Sequence, residues 1–333
     1  MPNRSKTDIV YPDGKDFIFT IFDDTDVATL GNIQPIYDFL DSVGIYTTKS
    51  VWPLNCDCQK SDYLGSHTLE HEVYRKYIVS LTEKGFEIGF HGASMESSLR
   101  EKTQKGLEYF KDVVGYYPST YACHAGNMEN MYWGQSRFKH QIFKDLYRIL
   151  SNDKTEYQGE KENSPFFWGD VCYNKIDYIR TFTFSDINLL KIRSLPLYIN
   201  KDQKYSRYCF ITSDADNVNE FNKILCRTNQ ERLERERGVC ILTTHFGKGF
   251  VKRGKLNPVT QDLLTQLSRR NGWFAPVSKV LEYLKGFRGE TSVQNDNLFS
   301  LELKWFVHAF KRQLNRLPYE KTELEYLFPK DLK

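Results

Sequence analysis

The chain has 333 residues, with 46 basic and 43 acidic side chains and a formal net charge of +3. That length can bury a full core as one large domain or two modest ones, and the near-balanced charge points to neither nucleic acid nor an anionic membrane as partner. Seven scattered cysteines, an odd count, exclude a disulfide framework, and Cys56-Asp57-Cys58 lacks a second pair at metal-finger spacing, so reduced thiols are expected.

The N-terminal residues Met1 to Asp8 have no apolar signal-peptide core, and no run of about 18 apolar residues occurs later, so a cytoplasmic protein without a membrane span is expected. Phe17 to Phe22 reads as a buried strand that stops at Asp23 and Asp24, with Asp26 just beyond. Adjacent carboxylates repel, and burying them uncompensated costs several kcal/mol. At the end of a barrel strand they mark a catalytic site; as a solvated turn they would cap the next helix.

That helix follows at 32–43, with Ile33, Ile36, Tyr37, Leu40 and Val43 on one stripe and Gly44 as its stop. The remaining pattern predicts strands at 45–52, 86–90, 119–123, 165–172, 176–184, 207–213, 239–244 and 273–277. Helices are predicted at 68–84, 95–114, 134–150, 218–237, 259–269 and 278–286. This alternation indicates an α/β barrel or an open parallel sheet over residues 1–286. Residues 287–298 read as a linker, and a helix at 299–316 is expected to pack on the barrel as part of a C-terminal extension, 287–333.

Four strand ends carry chemistry: Asp23 and Asp24, His91, the segment Ala122 to Asn127 with His124, and His245. Imidazole with carboxylate suits a borderline divalent metal such as zinc. Such an ion polarises a carbonyl and lowers the pKa of bound water to about 7. A nearby carboxylate can take the water proton and a histidine can protonate the leaving group.

These residues carry a resemblance to the polysaccharide deacetylase family, the chitin- and peptidoglycan-deacetylase type of metal-dependent carbohydrate esterase. Its first motif, Thr-Phe-Asp-Asp, is matched by Phe22-Asp23-Asp24, with Ile21 standing after Thr20. Gly85-Phe86-Glu87-Ile88-Gly89-Phe90-His91 is similar to the family's Gly-His-Glu-Ile-Gly-Asn-His. Gly115 to Pro118 with Tyr121 to Gly126 fits the frame of the third motif, and Cys240 to His245 resembles the last strand and its Leu-x-His. The resemblance spans about residues 16–285 and implies a distorted (β/α) barrel of about seven strands. It implies Asp23 as general base, Asp24 and His91 as metal ligands, and His245 as the acid that protonates the departing amine or alcohol.

Two positions depart from the family. Met95 stands where the second metal histidine belongs, and Ala122 where an arginine orients the base. His124 occupies a place where the family usually has proline, and is expected to compensate as third metal ligand or as a substrate contact. Asn127, Glu129, Asn130, Tyr132 and Trp133 follow on the same rim; Asn127, Tyr132 and Trp133 suit a sugar's hydroxyls and apolar face. Lys248, between Gly247 and Gly249, is a candidate contact for an anionic group. His67-Thr68-Leu69-Glu70-His71 spells the missing motif but lacks the preceding strand, so a helix start is the expected role. His140 and His308 lie in helix patterns and carry no expected chemistry, the segment Asp214-Ala215-Asp216-Asn217 reads as helix capping, and Trp168 as core.

The expected function is that of a metal-dependent hydrolase, a deacetylase cleaving an amide or ester on a sugar of an intracellular glycan or glycan precursor, as in surface polysaccharide synthesis. The alternative is a catalytically altered or inactive family member that binds carbohydrate. A metal-free acid–base pair at Asp23 and Asp24 is disfavoured, because adjacent strand residues point to opposite sides.

Overall fold

The structure, a computed structural model, describes residues 9–57, 65–287 and 297–320. Cys58, most of the expected linker and the last residues of the extension lie outside this range. In chain order the strands are β1 (Phe17–Asp23), β2 (Thr48–Val51), β3 (Glu87–Phe90), β4 (Thr120–Ala122), β5 (Tyr178–Phe184), β6 (Leu197–Tyr198), β7 (Tyr208–Asp214), β8 (Val239–Thr244), β9 (Val251–Lys252), β10 (Lys255–Leu256) and β11 (Gly272–Phe274). The helices are α1 (Leu30–Ser42), α2 (Glu72–Glu83), α3 (Arg100–Val114), α4 (Gln141–Leu150), α5 (Gly169–Lys175), α6 (Val218–Ile224), α7 (Arg227–Arg235), α8 (Pro258–Ser268), α9 (Val277–Lys285) and α10 (Leu298–Asn315).

Seven parallel strands close into a barrel in the order β1-β2-β3-β4-β5-β7-β8 and back to β1. The closure is uneven. β2 pairs only with the end of β1, at Phe22 and Asp23, while β11 covers the first half of that edge from Phe17 to Phe19. β6 adds an antiparallel strand on β7. This is the distorted (β/α) barrel expected from the sequence.

Side-chain parity along β1 sorts the core into two layers. Phe17, Phe19 and Ile21 pack outward against Ile33, Ile36 and Tyr37 of α1. Ile18 and Phe22 point the other way, into a cluster with Ala122, Phe210 and Ile241. Parallel strands buried on both faces read as continuous apolar runs, which makes them legible in the sequence. Glu87, at the start of β3, is buried and accepts hydrogen bonds from Thr48, Thr120 and the Ser278 N–H at the start of α9.

Several element boundaries differ from expectation, each for a local reason. The predicted helix 134–150 breaks into a 3₁₀ turn, Gly134–Arg137, and α4. Glu302 of α10 accepts the Lys139 and His140 N–H groups, capping α4 from a distant part of the chain. Residues 95–99 do not join α3, because Asn127 takes the Glu96 carbonyl and Glu129 takes the Ser98 N–H. The predicted helix 218–237 splits into α6 and α7 where Asn229 and Gln230 side chains bind the Ile224 and Leu225 carbonyls. Residues 165–172 form no strand; Gly169 begins α5.

Helix α10 lies on the barrel through Leu301 and Trp305, whose indole meets Phe138 and Phe182. Near its end Arg312 binds Asp214 at 2.7 Å, at the C-terminal end of β7. No helix among the described residues is long and apolar enough to cross a membrane.

Candidate active site

The alternation along β1 separates the paired carboxylates. Asp23 keeps the outward parity and lies behind the strand, fully buried, 2.9 Å from Lys49 Nζ of β2. It also accepts hydrogen bonds from Tyr37 at 3.0 Å and the Phe246 N–H at 2.8 Å. Burial pushes its carboxyl pKa up, against the pull of Lys49 and these donors, while Asp23 in turn holds Lys49 charged against its own desolvation. The structure therefore does not bring Asp23, expected as general base, into contact with the histidines. It forms a buried ion pair that ties β1 to β2, α1 and the loop after β8.

Asp24 faces inward. Arg180 of β5 grips it with two hydrogen bonds of 2.8 and 2.7 Å, the two-pronged geometry that guanidinium and carboxylate favour, and also donates to Thr243 Oγ1 at 3.1 Å. Desolvation works to raise the Asp24 pKa, but Arg180, with His91 and His245 nearby, holds it below the ordinary value. Arg180 is the register partner of Ala122 across β4 and β5. The guanidinium missing from β4 is thus supplied one strand over at the same level. A lone arginine in the apolar run Tyr178 to Phe184 was the available signal.

Asp26, not assigned a role from the sequence, is the hub. Its Oδ1 lies 3.2 Å from His91 Nε2 and 3.6 Å from His124 Nε2, and its Oδ2 lies 3.1 Å from His245 Nε2. Desolvation alone would raise its pKa, yet the facing His124 and His245 hold it well below the usual range. The loop that carries it is held in an unusual shape. Val27 has φ +53°, a left-handed conformation that a β-branched residue adopts only under constraint, costing on the order of 1–3 kcal/mol. Gly247 completes the constraint: a Cβ there would lie 2.8 Å from the Asp26 carbonyl oxygen, so only glycine lets the β8 loop pack this closely.

His245 has its proton placed by its partners. Nδ1 donates to the Asp216 carbonyl oxygen at 2.8 Å and lies 3.2 Å from its carboxylate, leaving Nε2 toward Asp26. Burial and the Lys248 ammonium disfavour its charged form, but Asp26 and Asp216 outweigh them and its pKa is raised. Asp216 also binds Lys248 Nζ at 2.9 Å, and its own pKa falls to about 2 because His245 and Lys248 overcome its desolvation. Of the segment Asp214 to Asn217, expected to cap a helix, Asn217 caps α6 with its side-chain oxygen, while Asp216 turns to His245 and Lys248. Lys248, expected as a contact for an anionic group, stands beside the cluster with its ammonium on Asp216.

His124 is oriented by the rim. Asn127 Nδ2 faces three acceptors, the Ser94 and Glu96 carbonyls and Glu129 Oε1. This fixes its amide, so Oδ1 accepts from His124 Nδ1 at 3.2 Å and Nε2 turns to Asp26. Burial lowers the His124 pKa despite Asp26. An imidazole nitrogen facing a buried carboxylate calls for a proton or another cation between them. Trp52 backs both rings, 5.7 Å from His91 and 5.2 Å from His124.

The other expected contacts are placed differently. Asn127 is buried and its amide is spent on protein groups rather than exposed to a ligand. Tyr132 is buried, its hydroxyl accepting the Tyr205 N–H, and Trp133 stacks under Arg137 at 4.0 Å. Trp168 is core, with its indole N–H on the Glu129 carbonyl. His67 and His71 stack on one another at 4.7 Å, and their Nδ1 atoms accept the Leu30 and Thr68 N–H groups. They are a helix start.

The residues around Asp26 fit a divalent metal by donor type. Ligand bonds of about 2.0–2.1 Å in a tetrahedron put donor atoms about 3.3 Å apart. The 3.2 and 3.6 Å separations from Asp26 to His91 and His124 bracket that value. Among the described residues no group of three such side chains is spaced to hold a metal ion as it stands, so the fit is one of donor type and not of assembled geometry. The Asn127 bond to His124 is the outer-shell support that metal-binding imidazoles ordinarily have.

No protein-family model and no curated protein matches the chain. Among solved structures, it is similar to a Mycobacterium smegmatis protein assigned to the polysaccharide deacetylases, with 13% identity and a TM-score of 0.48 over 84% of this chain and 93% of that one. A Pseudomonas aeruginosa PAO1 protein assigned likewise aligns with 10% identity and a TM-score of 0.46, over 82% of this chain and 92% of that one. The peptidoglycan deacetylase PdaC of Bacillus subtilis aligns with 13% identity and a TM-score of 0.40, over 83% and 95%. In chain course, this protein resembles polysaccharide and peptidoglycan deacetylases.

Proposed function

We propose that the protein is a metal-dependent deacetylase acting on an amide, or an ester, of a sugar. The observation that carries this reading is the convergence of His91, His124 and His245 on Asp26, next to an Asp24 held ionised by Arg180. A site that only bound sugar would not need this set of buried, mutually opposed charges. Asp26, His91 and His124 would hold a divalent metal, zinc by donor type. The bound ion would supply carbonyl polarisation and a water that ionises near neutral pH.

The chain's own residues perform the proton transfers. Asp24, fixed by Arg180, accepts the proton of the attacking water as general base. His245, kept protonated by Asp26 and Asp216, gives its Nε2 proton to the departing nitrogen or oxygen. Asp216 holds His245 in the tautomer that presents Nε2 to the site. Relative to the roles implied by resemblance, base and ligand move from Asp23 and Asp24 to Asp24 and Asp26. This reading is supported by Asp24 and Asp26 facing the histidines while Asp23 lies behind the strand. An intracellular glycan precursor as substrate, and a cytoplasmic location, belong to the same proposal.

The test is acetate release from N-acetylglucosamine oligosaccharides by protein purified without chelator. Release is expected, with loss after chelation and recovery on adding back divalent metal. Tight binding of the oligosaccharide without any turnover, in metal-loaded protein, would instead establish a carbohydrate-binding role.

A further inference from the structure

Arg137 is a buried cation without a counter-ion among the described residues. It closes the 3₁₀ turn Gly134–Arg137 and is 6% exposed. Its Nε has no hydrogen-bond partner, and no carboxylate among the described residues pairs with its guanidinium. The similarly buried Arg180, by contrast, has its two-pronged bond to Asp24. Arg137 has aromatic rings instead: Trp133 at 4.0 Å, Trp305 at 5.3 Å, Phe182 at 5.8 Å and Tyr147 at 5.9 Å. Ring faces attract the charge, but the five N–H donors lie in the plane of the guanidinium and call for oxygen acceptors there. Asp153 does not supply them, since its carboxylate is held by the Tyr147 and Tyr157 hydroxyls and the Thr155 N–H. Burial pushes the Arg137 pKa below its ordinary value, and the Arg312 charge acts in the same direction.

The turn that carries Arg137 belongs to the barrel end of the candidate active site. Phe182 lies two residues past Arg180, toward the C-terminal end of β5. Tyr157 ties the turn to the loop after His124. Its hydroxyl accepts the Gly126 N–H at 3.3 Å, and its ring packs so closely on Gly134 that a Cβ there would lie 2.8 Å away. Tyr132 and Gly134, left-handed with φ +48° and +58°, hold the half-buried Trp133 between them and against Arg137. For tyrosine that backbone is strained, a feature that collects at ligand sites.

We propose that Arg137, with Trp133 beside it, is a subsite for an anionic oxygen group, a phosphate or a carboxylate, on the saccharide that the candidate site receives. The planar fork matches two oxygens of either group, and the pair is stronger in a partly desolvated place than in water. A neutral sugar offers only hydroxyls and leaves the charge uncompensated. This subsite rests on the carbohydrate reading of the site and does not need the metal.

The experiment is calorimetric titration of the wild-type protein with N-acetylglucosamine, N-acetylglucosamine 1-phosphate and N-acetylmuramic acid. At least one charged sugar is expected to bind about tenfold or more tighter than the neutral one. The tighter of the two distinguishes phosphate from carboxylate. In R137M this preference is expected to vanish while the affinity for the neutral sugar is unchanged. Equal affinity for all three in wild type, or a preference that survives in R137M, would overturn the subsite and leave the carbohydrate reading standing. No binding of any of them would overturn both. Should R137M fail to fold, a crystal structure of wild type with the preferred sugar reads the same point. The anionic oxygens are expected on the Arg137 Nη atoms, and their seating elsewhere would overturn the proposal.

Discussion

Arg180 and Asp24 form a two-pronged buried ion pair across the barrel interior, from a strand position in register with Ala122. A charge left in that interior without its partner is costly. R180A is therefore expected to destabilise the fold by about 3–5 kcal/mol in urea unfolding. R180K keeps the charge but loses the fork, so it is expected to retain most stability while lowering turnover. Equal activity in R180K and wild type would show that orientation of Asp24 does not matter.

The outward ion pair can be dismantled in the same way, with a different result. K49M alone leaves Asp23 buried without its cation and is expected to cost about 3–5 kcal/mol. The double variant D23N/K49M removes both charges, while the amide introduced by D23N can keep its oxygen on the Phe246 N–H and turn its NH2 to the Tyr37 hydroxyl, which then accepts. It is expected to recover much of the stability and to keep catalytic activity. Loss of turnover in a folded D23N/K49M would return the general base to Asp23.

Asp216 gives the site an acid limit. Its pKa falls from an ordinary 3.8 to about 2 in the folded protein. A depressed carboxylate stabilises the fold above its unfolded pKa and loses that contribution as pH drops through the folded one. The window therefore lies between about pH 4 and pH 2, and its size is about 2 kcal/mol. D216N is expected to flatten the stability profile in that window and to lower turnover about tenfold or more at neutral pH. An unchanged acid profile would contradict the assignment of the Asp216 contacts.

Glu129 has the opposite sign. Burial raises its pKa from 4.5 to about 7, only partly opposed by the Ser98 N–H and Asn127. Between those values the unfolded chain has released its proton and the folded one retains it, so stability falls as pH rises. The loss is about 3 kcal/mol across the window. E129Q is expected to remove that slope, read by chemical denaturation at pH 5 and pH 8. A wild-type profile flat over this range would show that Glu129 is ionised throughout.

The positions of β1, β5, β7 and β8 were legible because each is an apolar run with a polar residue at or just past its end, whereas the pattern left a barrel and an open parallel sheet as alternatives and only the family resemblance implied closure. The roles within the site were less legible, and the reasons are geometric. The match to Phe22-Asp23-Asp24 draws attention to adjacency, whereas Asp23, the last residue of β1, points behind the strand and Asp24 and Asp26 face the histidines from the loop beyond it. Arg180 acts across the register from Ala122, and no local spacing shows a cross-strand partner. Asp216 sits where capping explains it equally well until His245 is seen beside it. His124 stands out because it breaks the pattern at a strand end. Asn127 follows three residues later and holds that histidine rather than a sugar.

The most direct test of the site is metal content of protein purified without chelator, for wild type, D26N and H124A. Wild type is expected to carry a stoichiometric divalent ion, and each variant to have lost it while remaining folded. Metal absent from wild type even after incubation with zinc, or retained in both variants, would contradict a centre built on Asp26 and His124.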